Sequence, residues 1–218
     1  MNSPLIQLIV LAGIAIFLIL RLKSVLGTRE GFEKPPLPTP QSKSGRRDFE
    51  VIEGGPDLDI DDNVEPDSDD ARELAAMKRI EPAFSVTEFI QGARGAYEMI
   101  VMSFERGDIA DIRPFLADDV YDAFSDVVAH REEQGLKIEA EFIGVRETRV
   151  QDVRFDKDTN RAEITMRFVG ELTSVVRDRG GDIIEGSATT AKRQKDSWTF
   201  ARTMGSDDPN WILVATDA

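Results

Sequence analysis

The chain has 218 residues, 41% of them hydrophobic, with no cysteine and a net charge of −14. Its length fits one folded domain plus additional segments, and the lack of cysteine excludes disulfides, zinc–thiolate centres and cysteine nucleophiles. An acidic protein repels phosphate backbones, so nucleic acid is excluded as a main partner.

The first segment is apolar. Leu5, Ile6, Leu8, Ile9, Val10, Leu11, Ile14, Ile16, Phe17, Leu18, Ile19 and Leu20 form a run whose one polar interruption is Gln7. A helix from Pro4 to Leu22 rises about 28 Å, which matches a bilayer core of about 30 Å. A cleaved signal peptide would carry positive charge before the run and a small-residue cleavage site after it. Here Arg21, Lys23, Arg29 and Lys34 all follow the run. Residues 1–26 therefore read as a single-pass anchor. The positive-inside rule expects the N-terminus outside and the rest of the chain in the cytoplasm, or on the matrix side of an organelle.

Residues 27–70 read as a disordered tether. Pro35, Pro36, Pro38 and Pro40 favour an extended chain, and residues 48–70 hold eleven acids and no base. Low hydrophobicity with one sign of charge predicts disorder. A coil of this length spans roughly 35 Å. Asp57, Asp59 and Asp61 imitate the start of a calcium loop. The glycine and glutamate that such a loop needs would fall at Asp62 and Ser68, so a solvated acidic run is expected instead.

Residues 71–218 carry the folded domain. A short helix over 71–80 stops near Pro82. Ser85-Val86-Thr87-Glu88 is a capping box, with Phe84 and Phe89 at the spacing of a hydrophobic staple. Val86, Phe89, Ile90, Ala93, Tyr97, Ile100, Val101 and Phe104 then recur at helical spacing, and Gly107 closes the helix. Asp108 is placed to cap a short turn and Asp118 to cap the next helix, which ends at Gly135. Beyond it the period changes to two. Strands are expected around 138–142, 153–155, 162–168, 186–194, 198–202 and 211–216. Helices followed by an antiparallel meander predict an α+β domain, with the helices packed on one curved sheet face.

Catalytic chemistry finds little footing. His130 is the single histidine, late in a helix where a cation is stabilised by the helix dipole. No metal site, cofactor site or catalytic residue is expected: one histidine and no cysteine leave only oxygen ligands, and no phosphate-loop or nucleophile-elbow motif occurs. Carboxylate pairs such as Asp118 and Asp119 are too common here to signal acid–base work. Phe142, Phe168, Trp198, Phe200 and Trp211 sit on strands, as core residues or as the lining of an apolar pocket. Lys192, Arg193 and Lys195 read as a solvated strand edge, with partner or lipid contact as the alternative.

The run Asp196-Ser197-Trp198-Thr199-Phe200-Ala201-Arg202, followed by Ser206 to Thr216 with its Pro209-Asn210-Trp211, resembles a known family. So do Phe84-Ser85, Phe89, Ala93, Phe104, Gly107-Asp108 and Leu116. The family is the C-terminal domain of the mitochondrial inner-membrane import motor scaffold, subunit forty-four of the translocase. The chain looks most like its short bacterial members. The resemblance implies a cone-shaped fold, similar to nuclear transport factor two and to cystatin. It also implies a non-catalytic adaptor that tethers a chaperone or translocation machinery at an inner membrane. Two alternatives stand beside it: a module binding lipid or a small hydrophobic ligand, and a receptor that tethers ribosomes.

Overall fold

The computed structural model describes residues 57–217. The anchor expected over residues 1–26, with its charges Arg21, Lys23 and Arg29, lies outside the described residues, as does the tether from 27 to 56. Among the described residues no helix is long and apolar enough to cross a membrane.

Among the described residues four α-helices precede the sheet: α1 (Leu58–Asp61), α2 (Asp69–Ile80), α3 (Val86–Arg106) and, after a 3-10 segment at Ile109–Phe115, α4 (Asp118–Gln134). The strands are β1 (Lys137–Asp156), β2 (Arg161–Arg177), β3 (Ile183–Thr203) and β4 (Ile212–Asp217). They form one antiparallel meander in the order β1-β2-β3-β4. The α+β architecture expected from the change of period is present.

Local signals explain most helix boundaries. The Ser85 hydroxyl accepts the Glu88 N–H at 3.2 Å, and the Phe84 and Phe89 rings lie 6.4 Å apart as the staple requires. Gly107 and Gly135 end their helices with φ of 81° and 71°, a conformation that favours glycine. Asp118 differs from expectation: Ala117 is the N-cap of α4, and no side chain caps it. The Asp118 carboxylate pairs instead with Arg113.

The strands are longer than their periodicity suggests. Segments expected as separate strands around 138–142 and 153–155 are one strand, bent at bulges between Phe142 and Gly144, Val145 and Glu147, and Val150 and Asp152. Each extra residue flips the alternation, which interrupts a period-two pattern without ending the strand. The two segments around 186–194 and 198–202 are likewise both part of β3.

The core lies on one face of this sheet. Ala162, Ile164, Met166 and Phe168, alternate residues of β2, are all fully buried and join a cluster with Val86, Phe89, Tyr97 and Ile100 of α3. The exposed edge of β1 is partly satisfied from the helices. Asp70 accepts the Val153 N–H at 2.9 Å, and Arg94 donates to the Val145 carbonyl at 3.4 Å. Such contacts shield a long edge from foreign strands.

Part of the expected tether is folded. From Asp57 onward the acidic run forms α1 and the approach to α2, whose N-cap is Ser68, and Ile60 is buried in the core. The boundary at residue 70 is corrected accordingly. One buried isoleucine and one well-placed aspartate outweigh the repulsion of a run that looks solvated in sequence.

Candidate functional site

The helix-covered side of the sheet is crossed by α3, which sets Tyr97 against β2 and β3. Its ring stacks on Phe168 at 4.4 Å with an interplanar angle of 18°, and it meets Trp198 at 4.8 Å. The ring comes so close to β2 that a Cβ at Gly170 would lie 2.6 Å from the Tyr97 hydroxyl. That hydroxyl donates to Asp196 and accepts from Gln194 at 3.1 Å. Burial and the Asp196 carboxylate push it above the usual phenol range.

The five strand aromatics, read from sequence as core or as pocket lining, divide accordingly. Phe168, Phe200 and Trp198 are buried in the core, while Phe142 packs against Tyr97 from the partly buried margin. Trp211 lies 4.6 Å from Phe89 and 5.9 Å from Phe84, closing the staple end of α3. Tyr97 thus fills the space among Phe142, Phe168 and Trp198. What remains beside it is an opening of about 290 Å³, reached by Trp198, Phe104 and Phe124 and flanked by Glu105, Asp196 and Asp217. Three carboxylates make it a poor host for an acyl chain.

A larger concavity lies at the other end of the sheet. A cleft of about 730 Å³ has Ala201, Ile212 and Val214 among its apolar walls, with Arg113, Arg161, Arg202, Asp118, Asp208 and Asn210 around it. Ala201, Arg202, Ser206, Asp208, Asn210, Ile212 and Val214 of its lining belong to the C-terminal run that carried the resemblance, and the opposite wall comes from Arg113 to Asp118. Arg202 organises this end. Its guanidinium pairs with Glu81, donates to the Pro209 carbonyl at 3.2 Å, and lies 5.5 Å from the centre of the Trp211 ring. Arg202 and the Gly205 N–H hold the Glu81 carboxyl below its ordinary value. The turn between β3 and β4 is thus anchored to the end of α2.

Sequence reasoning missed Asp59. Its carboxylate accepts the N–H groups of Val86 at 2.7 Å and Thr87 at 2.9 Å, and it pairs with Lys78 at 2.8 Å. An anion at a helix N-terminus is favourable, and here it reinforces the Ser85 cap. Burial works against the charge, yet Lys78, the Thr87 hydroxyl and the two N–H groups outweigh it and hold the carboxyl well below the usual range. No local motif could have revealed this, because donor and acceptor are 27 and 28 residues apart.

His130 is exposed and bonds Gln134 at 2.8 Å. Lys192, Arg193 and Lys195 are exposed on β3, and Arg193 bonds Glu171. Among the described residues no group of three histidine or carboxylate side chains is placed to hold a metal ion.

A helical layer on an antiparallel meander, held by a C-terminal run that wraps onto the first helices, defines a two-layer α+β domain. Residues 70–218 match the Tim44-like domain, and the chain belongs to that family. No curated protein matches. Among solved structures, the intermembrane space region of the chloroplast protein ARC6 is similar at 12% identity, with a TM-score of 0.39, over 58% of this chain and 93% of that one.

Proposed function

We propose that this protein is a non-catalytic scaffold, anchored at an inner membrane by residues 1–26. Its folded domain holds a partner protein of the translocation machinery, or a chaperone serving it, close to the bilayer. The observation that carries this reading is the Tim44-like match over residues 70–218. The cleft of about 730 Å³ beside Arg202 and Asn210 supports it, being large enough for several side chains of a bound segment. Its mixture of apolar wall and charged rim is typical of a protein-docking surface. The acidic border of the smaller opening favours this reading over an acyl-chain carrier.

The test is photocrosslinking in native membranes from Asn210, with Ala129 on α4 as the control position. Selective capture of a translocation component or chaperone from Asn210 is the expected result. Equal capture from both positions, or capture of lipid alone, overturns the reading. Membrane orientation is tested separately by a C-terminal reporter, expected to be active on the cytoplasmic or matrix side. Activity confined to the opposite side overturns that topology.

A further inference from the structure

The sheet face turned away from the helices has its own chemistry. Directly paired residues on neighbouring strands share a face. The register sets Arg149 opposite Arg167, Glu147 and Lys195 opposite Val169, and Arg193 opposite Glu171. Of the β2 residues, the core cluster takes only the other alternate set, Ala162 to Phe168.

Glu171 is the buried carboxylate of this face, at 5% exposure. It accepts from Arg146 Nε and Arg193 Nε, each at 2.6 Å, and the two arginines hold its carboxyl below the usual value. Their side chains nevertheless remain 61% and 70% exposed. Glu171 therefore holds two guanidinium groups upright without covering them.

Arg167 has only Glu147 nearby, at 3.8 Å, and its Nε has no hydrogen-bond partner. Arg149 is exposed and makes no ion pair among the described residues. Two arginines directly opposite one another destabilise a sheet, so folding alone gives no reason for this pair. On a chain of net charge −14, five basic side chains gather here, and Glu171, the buried carboxylate among them, is already paired with two of them.

We infer that Arg146, Arg149, Arg167, Arg193 and Lys195 form a docking surface for a carboxylate-rich segment of a partner protein. Four planar guanidinium forks suit carboxylates, which they bind in bidentate fashion. The patch spans three strands, about 10 Å across, so a single extended segment covers it. A flat anionic bilayer or a nucleic acid would also press on the carboxylates that this same face carries beside the patch, Asp152 opposite Thr165 and Glu163 opposite Arg154. A narrow segment crossing the three strands lies over the patch alone. The inference stands apart from the cleft beside Arg202 and does not depend on it.

The test uses the full chain in zwitterionic nanodiscs, a labelled glutamate-rich peptide followed by fluorescence anisotropy, and the variants Arg149→Glu and Lys157→Glu. Lys157 lies in the β1–β2 turn and controls for net charge. Arg149→Glu is expected to weaken peptide binding about tenfold while raising Tm by about 1–2 °C, because opposite charges then face one another. Lys157→Glu is expected to leave the affinity within about twofold. Equal loss in both variants overturns the inference, as does the absence of salt-sensitive binding to the parent chain. A fall in Tm with Arg149→Glu also overturns it, by assigning Arg149 a structural role. So does binding to phosphatidylglycerol vesicles that Arg149→Glu abolishes while peptide binding is unchanged, since the surface would then belong to the membrane.

Discussion

Asp59 concentrates much of the electrostatics of the fold in one carboxylate. It joins the N-terminus of α3 to Lys78 of α2, and the pair is mostly screened from solvent, with side-chain exposures of 24% and 17%. Asp59→Ala is expected to cost about 1–3 kcal/mol, combining a lost cap with a lysine reduced to its other partner, Asp57. Urea denaturation measures it; a change below about 0.5 kcal/mol would mean that Ser85 alone secures the helix. The sign of the pH effect follows from the depressed carboxyl. An unfolded chain binds a proton near the ordinary value of 3.8, the folded chain only well below it. The stability due to Asp59 is therefore complete above that value and erodes as pH falls through and below it. Glu81, also depressed from its ordinary 4.5, acts in the same direction. Melting temperatures of Asp59→Asn are accordingly expected to depend less on pH than those of the parent chain below about pH 4. Gly170 makes a steric case: Gly170→Ala sets a methyl against the Tyr97 ring and is expected to cost about 1–3 kcal/mol. Pairing it with Tyr97→Phe, which removes the nearest atom, is expected to recover part of that loss in a double-mutant cycle.

Among the elements, α3 couples the two ends of the sheet. Its first turn is fixed by Ser85, Asp59 and the Phe84–Phe89–Trp211 aromatic group, its middle by Tyr97 over Phe168. Phe89 touches Phe84, Phe200 and Trp211, joining helix, sheet and C-terminal turn. Phe89→Ala is expected to cost about 3–5 kcal/mol and to alter the environment of Trp211. Tryptophan fluorescence follows the second effect, and an unchanged emission spectrum would show that Trp211 packs independently of α3. The bulges in β1 are the sheet's counterpart to this coupling. They bend the strand so that one 20-residue element can both follow β2 and stay under the helices.

For the whole molecule, the folded unit begins before the stretch that matches the family. A chain starting at residue 57 keeps Ile60 in the core and Asp59 on α3, whereas one starting at residue 71 loses both, together with the Ser68 cap. The shorter chain is expected to be less stable by about 2–4 kcal/mol, a large share of the 5–15 kcal/mol common for a domain. Equal urea midpoints for the two would show that the acidic prelude is only a tail. The charge of the described residues is also unevenly spread, with acids on α1 and α4 and arginines on the outer sheet face.

Local physics accounts for what was legible in sequence. Ser85, Phe84 and Phe89 declare the start of α3, and Gly107 and Gly135 its end and that of α4, because caps and left-handed turns are decided within a few residues. The shift from helical to alternating periodicity identified the α+β class, and the C-terminal tryptophans pointed to the family. Tertiary structure alone decided the rest. It placed Asp59 on a helix some 27 residues away, put Phe168, Trp198 and Phe200 in the core, and merged broken strands across bulges. It also set Arg149 against Arg167. These outcomes depend on strand register and on contacts between distant segments, which leave no periodic trace along the chain. A one-residue slip would have reversed every face.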